Sequence, residues 1–544
     1  MIRAVTKNAL TLLVLLLCVS GCDRKTLVDL GTEQQILYYG NATDVTGVDP
    51  HGTNGMPEMR IITALFEGLV AKDPKTLEIV PAVADRWETS DDNMSYIFHI
   101  RENARWSNGD PVTAHDFVNS WLRGLMPGLG NETVTTLFLF KNAEKYYLNE
   151  ITDPSLIGFK ALDDYHLKVE LENPTPYFLQ LLDYVALFPV HTAHIQKFGD
   201  LDDPANPWAK VGNFVGNGAF TLKDWVPGRS LVVEKNPYYW DSDTVRLNEI
   251  HFMPIEQLLV EERMFKARHL HRTEWMPYAK MPAYRDRKDP EYNHYPYFST
   301  YFYVFNTTKP PFDDVRIRKA LAYAVDRRTL VESVTNGVQS ATGALTPPNT
   351  LGYTSRSQIV FDAEKARQLL ADAGYPDGKN FPIVEMMYNN NEDHRKVAEA
   401  IQQMWKKHLN ITVKLKNQEW KVFLHEVKNL NHDIARMGWV GDYIDPNTFL
   451  GVFTSDSGDN RTGWKNNQYD DLLKMAATII NKEERFEILK QAEAILLDEA
   501  PLIPLYNYTT NNLISTQLKG YHQNILDYYS YKHLYLEPDN KSAE

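Results

Sequence analysis

Strand-like and helix-like stretches take turns along almost the whole of this chain, and that alternation restricts it to α/β architectures. ILYYGNA (36–42), SYIFHIREN (95–103) and YHLKVEL (165–171) read as strands, with NGDP (108–111) and the proline-bearing NPTPYF (173–178) as turns. Thr113 caps a helix over TAHDFVNSWLRGL (113–125), because Asp116 falls three residues on, where a carboxylate meets unpaired N–H groups and the favourable end of the dipole. DVRIRKALAYAVDR (314–327), AEKARQLLADAG (363–374) and HRKVAEAIQQMWKKHL (394–409) are amphipathic helices; in the last, Val397, Ile401, Met404 and Trp405 share one face. FPIVEMMY (381–388) and ITVKLK (411–416) are short strands beside them. At 544 residues the chain exceeds one ordinary core, so two or three lobes are expected. Neither a repeat nor a low-complexity tract interrupts it.

The N-terminus reads as an export signal. MIRAVTKNAL is basic, ALTLLVLLLCV (9–19) is too short to cross a bilayer comfortably, and residues 1–21 form the expected signal peptide. Val19-Ser20-Gly21-Cys22 resembles a bacterial lipobox, which makes Cys22 the lipidation site; a plain signal peptide with a chance cysteine is the alternative. Asp23 then resembles an inner-membrane retention signal, so the expected location is the periplasmic face of that membrane. The only other cysteine, Cys18, lies in the discarded run, so no disulfide forms and a large core must stabilise the fold. The net charge of −14 becomes two units more negative once Arg3 and Lys7 are removed, which argues against a nucleic-acid partner.

Catalytic motifs are absent from the sequence: no G-x-S-x-G elbow, no phosphate-binding G-x-x-x-x-G-K-[ST], no H-E-x-x-H, no cysteine-based metal spacing. His269 and His271 would share one side of a strand, and His191 and His194 one helical face, but no further ligands stand beside either pair, so surface histidines are the simpler reading. A non-enzymatic protein without metal or cofactor is expected. Aromatic residues are abundant, 30 Tyr, 23 Phe and 11 Trp, and supply rigid walls for a ligand as readily as core. One stretch, GWVGDYIDPNTF (438–449), sets Asp442 between Trp439 and Tyr443, where desolvation penalises its charge.

Seven separated blocks, GVDPH (47–51), LFEGL (65–69), IRENARWSNGDPVTAHDFVNSW (100–121), NGAF (217–220), EKNPYYWD (234–241), PPFDDVRIRKALAYAVDR (310–327) and GWVGDYIDPNTF, together resemble the oligopeptide-binding proteins of ABC importers, in the family's order and at about its spacing, from about Gln34 to the C-terminal end. The resemblance implies a periplasmic binding protein-like (type II) fold, two α/β lobes joined by a hinge with an extra inserted domain. It places the first lobe at 23–67, 190–298 and 509–544, the insertion at 68–189 and the second lobe at 299–508, with hinge crossings near Thr300 and Tyr508. It implies a monomeric solute-binding protein that closes on a peptide and delivers it to membrane permease subunits, rather than a periplasmic hydrolase. Relatives of this architecture also carry murein peptides, antimicrobial peptides, haem, glycans or metal chelates, so the ligand class stays open.

The resemblance also assigns residues. Asp442 anchors the peptide's α-ammonium, and a pair with Arg436 that fixes the turn is the alternative, the two not being exclusive; Arg436 meets the carboxylate of short peptides, and His394 reads the C-terminal side. Trp439 and Trp420 wall side-chain pockets, Val440 contributes backbone groups, and Asn54, Gly55 and Met56 lie in HGTNGMPE on the other side of the cleft. Asn54 stands where relatives often carry glutamate, Val427 replaces an arginine, Thr335 replaces a lysine, and Arg268-His269-Leu270-His271 replaces a Gly-Glu-Ile-Asp-like stretch. Loss of two basic C-terminal anchors points to short peptides or weak C-terminal selectivity.

Overall fold

A computed structural model describes residues 25–53 and 55–539. The signal-like segment 1–21, Cys22, Asp23 and Asn54 lie outside the described residues.

Three larger sheets organise the chain. The first runs Ile36–Gly40, Glu249–Met253, Ser230–Lys235, Phe220–Val226, parallel in its first pair with Ile36 opposite Glu249 and antiparallel thereafter. The second, Ala84–Thr89, Ser95–Ile100, His166–Glu170, Phe159–Ala161, is antiparallel throughout. These two sheets share one hydrophobic core, in which Leu37, Ile250 and Phe252 of the first and Phe98, Leu167 and Val169 of the second are buried. The Ala114–Gly124 helix covers that core, and its start is fixed as expected: the Thr113 N–H donates to Asp116 Oδ2 at 2.7 Å.

The third sheet has six strands in the order Ser340–Ala341, Leu502–Leu513, Tyr292–Phe305, Ile434–Val440, Val384–Asn389, Val413–Gln418. Its Tyr292–Phe305 and Leu502–Leu513 strands are buried over most of their length. Along Tyr292–Phe305, Tyr301, Tyr303 and Phe305 point into one core with Ile317, Val397, Ile401 and Trp405. Phe302 and Val304 point into the opposite core with Phe449, Leu489 and Leu496. The face predicted on Glu392–Leu409 is correct: Val397, Ile401 and Trp405 are fully buried.

Two long strands connect the sheet systems. Tyr292–Pro296 pairs with Thr509–Leu513, and Thr300–Val304 pairs with Leu502–Asn507, but the register breaks between Pro296 and Thr300. In the break the Phe298 N–H donates to the Ile525 carbonyl at 2.7 Å, and the Phe298 carbonyl accepts from the Gly441 N–H at 2.8 Å. Bulged segments bend strands and disrupt the ladder locally, which is the property a hinge between lobes needs. Among the described residues no helix is long and apolar enough to cross a membrane.

Candidate functional site

The Ile434–Val440 strand organises the site. Its inner edge pairs with Ser299–Phe305 along its whole length, whereas its outer edge meets Val384–Asn389 only at Ile434 and Ala435. From Arg436 to Val440 the outer edge therefore carries no strand. Alternation along this strand sends Arg436, Gly438 and Val440 into one cavity, of about 270 Å³, and Trp439 into a second, of about 250 Å³.

In the first cavity Arg436 is flanked by neutral partners. Its Nη2 donates to the Tyr508 hydroxyl at 2.6 Å, its Nη1 reaches Asn389 Oδ1 at 3.5 Å, and its guanidinium lies 4.8 Å from the Tyr301 ring centre. Its Nε is buried without a partner, and it forms no ion pair among the described residues. His394 sits in the first turn of Glu392–Leu409, whose start is capped by Asn391 Oδ1 accepting from the Asp393 and His394 N–H groups at 2.8 and 3.1 Å. Burial, then the neighbouring Arg436 charge, hold the His394 imidazole well below its ordinary value, so it is neutral. Met56 lines the mouth of this cavity and is 45% exposed. Gly55 precedes the Met56–Leu65 helix, where an added Cβ would come within 2.5 Å of Glu58 Oε2.

The second cavity holds Asp442 and Trp439 between Tyr177 and Tyr184 on one side and Asp459 on the other. Burial, then the charge of Asp459, push the Asp442 carboxyl up to about 7; Lys72 offsets part of this but is itself bound to Asp183 at 2.9 Å. Asp442 has no ion-pair partner among the described residues. The expected alternative, a pair with Arg436, is not formed, because strand alternation and the turn at Gly441 put the two side chains in different cavities. The aspartate that does fix the turn is Asp445, whose carboxylate takes a buried fork from Arg485 at 2.6 and 2.7 Å. Around it Tyr443 stacks on Tyr177 with ring centres 4.4 Å apart, the Asn447 side chain donates to the Tyr177 hydroxyl at 2.8 Å, and the Ile444 N–H donates to Gln180 Oε1 at 2.9 Å.

Several expected positions fall elsewhere. Trp420 opens the Trp420–Lys428 helix, stacks on Phe423 and lines neither cavity. Val427 is 1% exposed in the core, and the buried Thr335 hydroxyl closes on the Val331 carbonyl at 2.8 Å, so neither replaced basic position faces a cavity. His269 is exposed, while His271 is buried with Nδ1 accepting from the Tyr38 N–H at 3.1 Å; the segment is not a strand, so the two do not share a side. His191 binds Asp110 and His194 the Asn213 carbonyl. No group of three potential metal ligands exists among the described residues. Trp275, Tyr184 and Asp459 were not anticipated; Tyr508 was expected at a hinge crossing, from the strand-like LIPLYNY, but not in a cavity.

Residues 78–461 match the family described as "Bacterial extracellular solute-binding proteins, family 5 Middle". The chain is 37% identical over 505 residues to the periplasmic murein peptide-binding protein MppA of Escherichia coli K12, covering 90% of each chain. It is 34% identical over 545 residues to the periplasmic oligopeptide-binding protein OppA of Salmonella typhimurium, covering 98% of each. It superposes on the structure of E. coli murein tripeptide binding protein MppA with a TM-score of 0.86, at 35% identity over 92% of this chain and 98% of that one. Against the unliganded open form of MppA the TM-score is 0.68, at 35% identity over 93% and 98%. Against Haemophilus influenzae OppA in complex with RPPGFSPFR it is 0.85, at 32% identity over 93% and 99%.

Proposed function

The chain belongs to the bacterial extracellular solute-binding proteins of family 5, and from that premise we propose that it binds short peptides between its two lobes and delivers them to an ABC importer's permease. The observation that carries the peptide reading is Asp442: a carboxylate with no cationic partner, at one end of an unpaired strand edge whose other end carries an uncompensated guanidinium. A free α-ammonium entering the second cavity replaces its lost water with that carboxylate. At about 4 Å and an effective dielectric near 20, the attraction is roughly 4 kcal/mol before desolvation. The open edge from Arg436 to Val440 offers main-chain groups to an extended peptide whatever its sequence. That edge advances about 13 Å, and Arg436 reaches back along it, so a free carboxylate on Arg436 suits three or four residues better than two or six.

We assign residues 23–67, 190–298 and 509–544 to the first lobe, 68–189 to the insertion and 299–508 to the second lobe. The protein works by binding and release, without chemistry, as a monomer in the periplasm. We assign its anchoring to lipid on Cys22, with Asp23 holding it at the inner membrane; recovery of the mature protein wholly in the soluble periplasm would refute the anchor. Identity to MppA favours a murein peptide as the second reading.

Calorimetry with di- to hexapeptides tests the main one. Affinity peaks at three or four residues and falls about a hundredfold or more in Asp442→Ala, the loss associated with one partner of a buried charge pair. Undiminished binding by Asp442→Ala would move the assignment to a ligand without an ammonium.

A further inference from the structure

The first cavity has two unlike walls. Met56, Leu258, Trp275, Met276, Met281 and Tyr297 form one; Arg436, His394, Asp393 and Tyr508 stand on the other, and the remaining polar side chains of the lining, Gln339, Asn391, Thr509 and Asn511, are hydrogen-bonded within the protein. The apolar wall is the outer surface of a packed core: Met276 and Met281 are 1% exposed and share a cluster with Ile255, Phe265, Leu270 and Tyr284. Trp275 stands edge-on to Tyr297, ring centres 6.3 Å apart. On the polar wall Asp393 is occupied by the Tyr278 N–H at 3.3 Å and by Lys396 at 3.6 Å. His394 is neutral, and Tyr508 gives Arg436 a hydroxyl rather than a charge. One positive charge therefore faces a wall of thioethers and rings across a space that fits a single large side chain.

An amphipathic carboxylate satisfies both walls at once. Resting on the peptide reading above, we propose that the first cavity selects peptides whose C-terminal residue is bulky and apolar, its side chain against the methionine and tryptophan wall and its carboxylate on Arg436. Three methionines make that wall adaptable in shape, so Phe, Leu and Met are accepted alike.

Calorimetry at pH 7.5 with Ala-Ala-Phe, Ala-Ala-Leu, Ala-Ala-Ala, Ala-Ala-Lys and the amide of Ala-Ala-Phe tests this. Ala-Ala-Phe and Ala-Ala-Leu bind about tenfold or more tighter than Ala-Ala-Ala, as burial of a large apolar side chain dictates, and amidation removes about tenfold or more. Leu258→Glu provides the reciprocal variant. Leu258 is the first residue of the Leu258–Lys266 helix, where a carboxylate suits the dipole, so the variant folds, and it places Ala-Ala-Lys above Ala-Ala-Phe. Equal affinities for Phe, Ala and Lys at the last position, or an unchanged order in Leu258→Glu, would overturn the inference while leaving peptide binding intact. Failure of every tripeptide to bind would overturn the peptide reading and this one with it.

Discussion

A carboxyl held at about 7 by burial and by Asp459 loses its proton when an ammonium arrives, and that coupling makes peptide binding depend on pH. Above pH 7 Asp442 is already ionised and affinity is flat; below it the proton must leave before the ammonium binds, so affinity falls by up to about tenfold per pH unit. Asp442→Asn binds weakly but without that slope, and calorimetry between pH 5.5 and 8.5 shows both. Glu261 has the opposite meaning, because it concerns folding rather than ligand. It is fully buried, with one oxygen accepting from the Glu274 N–H at 2.7 Å and the other unpartnered. Burial pushes its carboxyl up to about 8 from an ordinary value of 4.5. The folded state thus keeps a proton that the unfolded chain has lost, and stability falls as pH rises from about 4.5 to about 8. Denaturant unfolding of Glu261→Gln loses a decline on the order of 5 kcal/mol across that window. Nothing local to the sequence separates Asp442 from Asp445 in DYIDPN: Arg485, which claims Asp445, lies 40 residues away, and only the tertiary fold shows which aspartate is left for a ligand.

Elements were legible wherever periodicity and caps agree, as for Thr113 with Asp116 or the Val397, Ile401, Trp405 stripe, because those signals act within a few residues. Expectations failed where a position's meaning depends on a neighbouring element. Trp420 stacks within its own helix, and Val427 is drawn into the core under the third sheet. The open outer edge of Ile434–Val440 could not be anticipated either, since it arises from Val384–Asn389 pairing with only two residues of it. A glycine on this element and one just past its end separate peptide contact from hinge motion. Gly438 faces the first cavity, and an added Cβ would lie 3.2 Å from the Tyr508 hydroxyl, tight but tolerable. Gly438→Val therefore folds, keeping its melting temperature within a few degrees, yet its side chain occupies the approach of the peptide backbone and affinity falls about tenfold or more. Gly441 differs: an added Cβ would come within 2.4 Å of the Phe298 ring, in the register break of the long strands. Gly441→Ala displaces Phe298, and weakened binding with an altered unliganded radius of gyration is its expected signature.

At the scale of the whole molecule, the segment assigned above to the insertion touches the one assigned to the second lobe through the protein's own groups, and the arrangement lies nearer the murein tripeptide binding protein structure than the unliganded open form of the same relative. The contacts run from the segment around Tyr177 and Gln180 to the block containing Tyr443, Ile444 and Asn447, with a half-exposed Lys428–Glu132 pair at 2.7 Å beside them. The exposed pair contributes about 0–1 kcal/mol; the hydrogen bond from the Ile444 N–H to Gln180 contributes about 1 kcal/mol. Small terms suffice here, because apparent affinity scales with the fraction of protein already in the binding-competent form. Gln180 lines neither cavity, so its loss acts on closure alone. Gln180→Ala is expected to weaken every peptide by about the same factor, roughly fivefold, without changing the order of preference among C-terminal residues or the pH dependence set by Asp442. Small-angle scattering of the unliganded variant shows a larger radius of gyration, and the liganded variant recovers the compact one, since a ligand holding both lobes can outweigh one missing hydrogen bond. A loss confined to particular peptides would instead place Gln180 among the groups that touch the ligand.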